Sequence, residues 1–105
     1  MSPDTLTTPD IDVTDEVTLK EPRMYQVLLH NDDYTTMDFV VNVLVEIFHK
    51  TREQAAAIMM AVHKRGVGIA GVYTYEIAEM KVEAVRERAV KAGFPLRCNL
   101  QEVGQ

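Results

Sequence analysis

Two short stretches of the chain carry side chains that could do chemistry together. His30-Asn31-Asp32-Asp33 sets an imidazole, an amide and two carboxylates side by side, and His63 follows Val62 directly and Met59 one helical turn later. Asn offers a carbonyl acceptor, Asp a carboxylate and neutral His one ring-nitrogen acceptor. An ammonium group has three donors and no acceptor. Converging acceptors from Asn31, Asp32 and His63 would satisfy it, and would refuse an internal peptide N–H with its single donor. Charge-assisted bonds of this kind contribute roughly 1.5–3 kcal/mol each. The same residues also read as a plain turn (Asn31, Asp32) and a helix-surface histidine (His63), and sequence alone does not show that they converge.

Apolar residues lie close to both stretches. Met37, Val40, Met59 and Val62 fall on the apolar stripes of two consecutive helices, which usually means core. The functional alternative is a pocket for one large apolar side chain, for which Met, unbranched and polarizable, is well suited. Burying a Leu or Phe there would contribute roughly 1.5–3 kcal/mol. Other chemistries are weaker. His30, Asp32, Asp33 and His63 are ligand-type residues, but the chain has no HxH, HExxH or CxxC spacing, so no metal is expected. Cys98 sits in an alternating strand, where a buried structural thiol fits better than a nucleophile. GVGIAGV follows a helix instead of joining a strand to one, unlike a phosphate-binding loop. No catalytic residue and no cofactor are expected, and the chain reads as a binding protein and not an enzyme.

These residues need elements to position them. The stretch MYQVLLHN is rich in strand formers and runs into turn residues, which predicts a first strand. Thr35 lies three residues before Asp38, a capping-box pattern that opens a helix from Met37 to about Lys50. Thr51-Arg-Glu-Gln54 is a second capping box, whose helix carries Ala55, Ile58, Met59 and Val62 on one stripe and ends at Gly66. Residues 66–73 read as a weak strand. Thr74 caps a third helix with Glu76 and Glu79 near its start and an apolar stripe of Ala78, Val82, Val85 and Ala89, ending near Gly93. Pro95 opens a last strand with Leu96, Cys98 and Leu100 on one face. The predicted fold is α+β: a β-α-α-β-α-β sandwich in which three antiparallel strands are covered by three helices.

Composition narrows the partners. The chain has 105 residues and a net charge of −5, enough for one domain with its own core. Residues 1–20 hold five acidic residues against Lys20, net −4, and the remainder has 11 acids and 10 bases, net −1. A flexible acidic arm over residues 1–21 and a folded domain over 22–105 follow from this split. A near-neutral body with an acidic arm is not a nucleic-acid binder. The chain has no apolar run of membrane-spanning length, no signal-peptide pattern and one cysteine, so a cytoplasmic protein with no membrane partner is expected.

In order and spacing, the blocks MYQVLLHNDDYTTMDFV, AxxIMMAVHKRG, GVYTYEIAEMKV and PLRCNLQE resemble the ClpS adaptor family across roughly residues 22–102. The resemblance implies the same sandwich, similar to the C-terminal domain of the ribosomal stalk protein. It implies capture of substrates beginning with Leu, Phe, Tyr or Trp. Delivery would be to the N-terminal domain of the AAA+ unfoldase ClpA, and so to the ClpP protease. Carried over by position, Asn31, Asp32 and His63 would hold the substrate α-amino group. Asp33, Thr35, Met37, Val40, Met59, Val62 and Leu96 would line the side-chain pocket, with Met37 at its entrance. Tyr73, Thr74, Glu76 and Lys81 fall where the family contacts the unfoldase, and the arm would act in delivery. A monomer is expected. Thr36 stands where the family commonly has Pro. Two readings compete with the adaptor: a ribosomal-stalk-like protein docking translation factors, which shares topology but not the NDD…H pair, and a small metal enzyme. Binding of a Phe-initiated peptide but not its N-acetylated form separates the adaptor from both.

Overall fold

The computed structural model describes residues 21–104; the acidic arm of residues 1–21 lies outside the described residues except for Glu21. Alternation in the first strand, β1 (Met24–His30), buries Val27 and Leu29 completely, so β1 lies in the middle of the sheet. The strand β2 (Val67–Thr74) pairs with one edge and β3 (Arg97–Glu102) with the other, both antiparallel, in the order β2-β1-β3. His30 meets Val67 on one side and Arg97 on the other; at the far end Met24 meets Thr74 and Tyr25 meets Glu102. The register slips opposite Val27–Leu28, leaving Ala70 between paired positions.

Three helices, α1 (Met37–Glu46), α2 (Arg52–Arg65) and α3 (Tyr75–Ala92), bury the sheet face that carries Val27, Leu29 and Ala70. Val43 and Leu44 of α1, Ala55 and Val62 of α2, and Ala78, Val85 and Ala89 of α3 complete the core. The opposite sheet face leaves Ile69 and Val72 exposed. This is the β-α-α-β-α-β α+β sandwich that the periodicity predicts.

Three local expectations need correction. The first helix stops at Glu46, not near Lys50, because His49 takes a left-handed backbone (φ 58°) and Lys50 N–H turns back to the Leu44 carbonyl (3.1 Å). Its N-cap is Thr36, whose hydroxyl accepts from Phe39 N–H at 3.1 Å; Thr35 is instead drawn to Asp32. Thr74 occupies the N-cap position of α3 but makes no side-chain capping bond. Elsewhere local chemistry runs as expected. Thr51 and Gln54 form a reciprocal capping box, Gly66 ends α2 in the left-handed region at φ 91°, and Gly93 ends α3 in a Schellman turn through Phe94 N–H to Ala89 O.

Candidate functional site

A cavity of about 250 Å³ opens between the start of α1 and the end of α2. Asn31, Asp32, Asp33, Thr35 and His63 supply its polar lining; Met37, Val40, Met59 and Val62 supply the apolar one. That volume is below the roughly 300–1,000 Å³ of drug-sized sites and suits a single residue. Val40 and Val62 are buried, whereas Met37 is 44 % exposed.

The backbone explains why residues so far apart in sequence meet here. Asn31 N–H donates to the Gly66 carbonyl at 2.9 Å, tying the end of β1 to the end of α2. Gly66 follows His63 by three residues, so the bond brings His63 beside the Asn31–Asp32 turn. Gly68 then fixes how closely α2 approaches β2. A Cβ there would lie 2.7 Å from Val62 Cγ2 and 3.2 Å from the Ile58 carbonyl. Sequence reading placed this glycine in a strand without giving it a role, although a strand glycine signals such close approach.

Asp32 organises the turn. One carboxylate oxygen accepts from Tyr34 N–H (2.8 Å) and Thr35 N–H (2.7 Å), and the other from the Thr35 hydroxyl (2.7 Å). Burial works against its charge. The bonds from Thr35 and Tyr34, with the Arg97 guanidinium nearby, outweigh that effect and hold its pKa below the usual carboxylate value. Asp32 is therefore a fixed anion with lone-pair capacity left over. The side chains of Asn31, Asp33 and His63 make no hydrogen bond to protein groups among the described residues. A concave site with an apolar wall, a fixed carboxylate and unengaged acceptors suits an amphipathic cation of one residue's size.

Leu96, expected in this lining, is set apart from it. It is buried at 7 % exposure and borders a second cavity at the β3 edge with His30 and Arg97. Tyr73, Thr74, Glu76 and Lys81 gather at the opposite end of the sheet, around the β2–α3 junction. There Lys81 Nζ donates to the Ile47 carbonyl at 2.6 Å and lies 5.5 Å from the Tyr73 ring centre and 5.9 Å from that of Phe48. Glu76 and Thr74 are exposed. Burial pushes the Cys98 thiol up to about 12, so it stays protonated and unreactive at neutral pH. Among the described residues no three His, Cys, Asp or Glu side chains gather as a metal site, and no helix is long and apolar enough to cross a membrane.

Comparison with known proteins gives one family throughout. Residues 20–99 match the family model described as "ATP-dependent Clp protease adaptor protein ClpS". The chain is 62% identical over 94 residues to the ATP-dependent Clp protease adapter protein ClpS of Oleidesulfovibrio alaskensis, covering 90% of each chain. It is 64% identical over 94 residues to that of Nitratidesulfovibrio vulgaris, covering 90% of this chain and 88% of the relative. Among solved structures it is similar to Agrobacterium tumefaciens ClpS2 bound to L-phenylalaninamide, with a TM-score of 0.75 and 34% identity over 78% of this chain and 99% of that one. The sandwich and the four sequence blocks therefore have one explanation: the chain belongs to the ClpS family of ATP-dependent Clp protease adaptors.

Proposed function

We propose that this adaptor captures proteins by a free N-terminus bearing Leu, Phe, Tyr or Trp and delivers them to the N-terminal domain of the ClpA unfoldase for degradation by ClpP. The observation that carries this reading is the pairing, in one residue-sized cavity, of Asn31, Asp32 and His63 with the apolar wall of Met37, Val40, Met59 and Val62. The acceptors hold the α-ammonium, and the wall takes the first side chain, with Asp33 and Thr35 at the rim. L-phenylalaninamide, the ligand of the similar ClpS2 structure, has that form: a free amine, a benzyl group and an amide where a peptide would continue. The Tyr73, Thr74, Glu76 and Lys81 end of the sheet serves the unfoldase, and the acidic arm of residues 1–21 serves delivery and not capture.

The test is fluorescence anisotropy with a Phe-initiated peptide and its N-acetylated form. Acetylation removes the charge and two donors and leaves acceptors unpaired. A loss of at least about 3 kcal/mol, over a hundredfold, is expected from two missing charge-assisted bonds. Equal affinity for the two peptides would sink the reading. Delivery is tested separately: deleting residues 1–18 should leave peptide affinity within about 0.5 kcal/mol while slowing degradation of a Leu-initiated reporter by ClpA and ClpP.

A further inference from the structure

Two of the four apolar side chains that line the cavity between α1 and α2 are thioethers, Met37 and Met59. They differ in access: Met37 is exposed and Met59 is half-buried. We propose that Met37 is a redox modification site, at which a peroxide converts the thioether to the sulfoxide and the cavity then refuses apolar N-terminal side chains. The proposal rests on the N-terminus-binding reading of that cavity.

The Met37 sulfur attacks one peroxide oxygen. The S–O bond forms as the O–O bond breaks, and the second oxygen takes the proton of the first and leaves as water. The sulfur is oxidised by two electrons and the peroxide is reduced. A methionine sulfoxide reductase reverses the change, so it can act as a switch.

The place of Met37 lets the product act on the site and spare the fold. Met37 is the first residue of α1 and stands outside the core cluster, whereas Met59 packs against that cluster. The wall of the cavity changes character. A thioether is flexible and apolar, and a sulfoxide is a polar acceptor. Solvent satisfies its oxygen while Met37 is exposed. A Leu or Phe side chain entering the cavity strips that solvent away and offers no hydrogen bond. Burying an unpaired polar group in this way weakens binding roughly tenfold or more. The polar lining gives little relief. Ionised Asp32 and Asp33 only accept, and the Thr35 hydroxyl is already donated to Asp32. Asn31 and His63 remain, and both are occupied by the substrate amine.

Other oxidisable groups are set apart by place or by chemistry. Met24, Met60 and Met80 are also exposed, Met80 more than Met37 at 66 %, yet none of them lines this cavity. Burial keeps the Cys98 thiol protonated, which makes it a slow target for peroxide.

The experiment treats the full chain with hydrogen peroxide and follows sulfoxide at each methionine by peptide mass spectrometry. Affinity for a Phe-initiated peptide is measured by anisotropy before and after treatment, in wild type, Met37→Leu and Met80→Leu. Wild type should lose affinity about tenfold or more, in step with sulfoxide at Met37, and a methionine sulfoxide reductase should restore it. The treated-to-untreated ratio should stay near one in Met37→Leu and should fall in Met80→Leu as it does in wild type. Urea unfolding of the oxidised protein should show an intact cooperative fold. Full oxidation of Met37 with unchanged affinity overturns the proposal. So does resistance of Met37 to peroxide, an equal loss in Met37→Leu, or unfolding of the oxidised wild type. If Met37→Leu binds too weakly to compare, the wild-type titration decides, and a loss that tracks sulfoxide at Met59 overturns the proposal. If untreated wild type binds no Phe-initiated peptide, the reading of the cavity fails and the proposal falls with it, whatever the mass spectra show.

Discussion

The two ends of the sheet use their polar groups in opposite ways. At the Met24–Thr74 end they are engaged with one another. Lys81 is bonded to the Ile47 carbonyl and faces two rings, Tyr75 Oη donates to Glu79, and Arg23 pairs with Glu102. At the His30–Arg97 end the side chains of Asn31 and His63 have no protein partner among the described residues, and Asp32 is fixed by its own turn with capacity to spare. One end engages Lys81, Tyr75 and Arg23 within the fold. The other is held in place by backbone contacts and leaves side-chain acceptors unengaged.

Exchanging the roles of the two ends is the strongest attack on this contrast. Asp32→Ala should weaken a Phe-initiated peptide at least a hundredfold, about 3 kcal/mol, with circular dichroism confirming the fold. Lys81→Met should lower stability by about 1–2 kcal/mol in urea unfolding and leave peptide affinity within about twofold. If Lys81→Met weakens the peptide as much as Asp32→Ala does, the contrast is wrong.

Two glycines sharpen it. Gly68→Ala would press on Val62 and the Ile58 carbonyl, shift the end of α2 and carry His63 with it. Loss of about 1–3 kcal/mol of stability should come with weaker peptide binding. Gly71→Ala would meet the Tyr73 ring, with a Cβ 2.7 Å from Tyr73 Cε2, and disturb the Lys81 end. A similar stability loss without a change in affinity is expected there. Urea titration and anisotropy on the same two proteins decide the matter.

A smaller effect concerns the helix cap at the cavity end. Thr36→Ala should cost about 1 kcal/mol by removing the bond to Phe39 N–H. Thr36→Pro should cost less, because φ −75° already suits the pyrrolidine ring and stiffens the unfolded chain in compensation. Thermal unfolding of both proteins tests the order.

The smallest effect is a pH dependence. Because the folded-state pKa of Asp32 is lowered, its turn stabilises the fold fully above the unfolded value, near 3.9, and the contribution is lost as pH falls through the folded value. The stability gap between wild type and Asp32→Ala should therefore be constant from neutral pH to about pH 5 and narrow below about pH 4. A gap that stays constant down to pH 2 would contradict the turn's role.

How much of this was legible in the sequence depends on whether a signal was local. The Thr51–Gln54 box, Gly66, Gly93 and the alternation of β1 act within a few residues, and the fold followed from them. Thr35 reads as the cap because it lies three residues before Asp38, whereas Thr36 holds that position. What decides between them is that Asp32 takes the Thr35 hydroxyl. The end of α1 was misread because Ile47 and Phe48 remain buried after the helix stops, so the apolar stripe outlasts the helix. The grouping of Asn31 with His63 depends on a bond to Gly66 that spans 35 residues, and no periodicity encodes it. Arg97 left no sequence signal: its influence on Asp32 goes with its strand register opposite His30.

The Asn31–Gly66 bond also gives the protein a built-in clock. It joins the end of β1 to the cap of α2, and its amide becomes protected only once both β1–β2 pairing and α2 docking have occurred. Amide hydrogen exchange at Asn31 therefore reports the assembly of the cavity without any ligand. Exchange at Asn31 as slow as at Val27 in the sheet centre would mean that the cavity opens only when the whole domain unfolds. Faster exchange would reveal a local opening of that end alone.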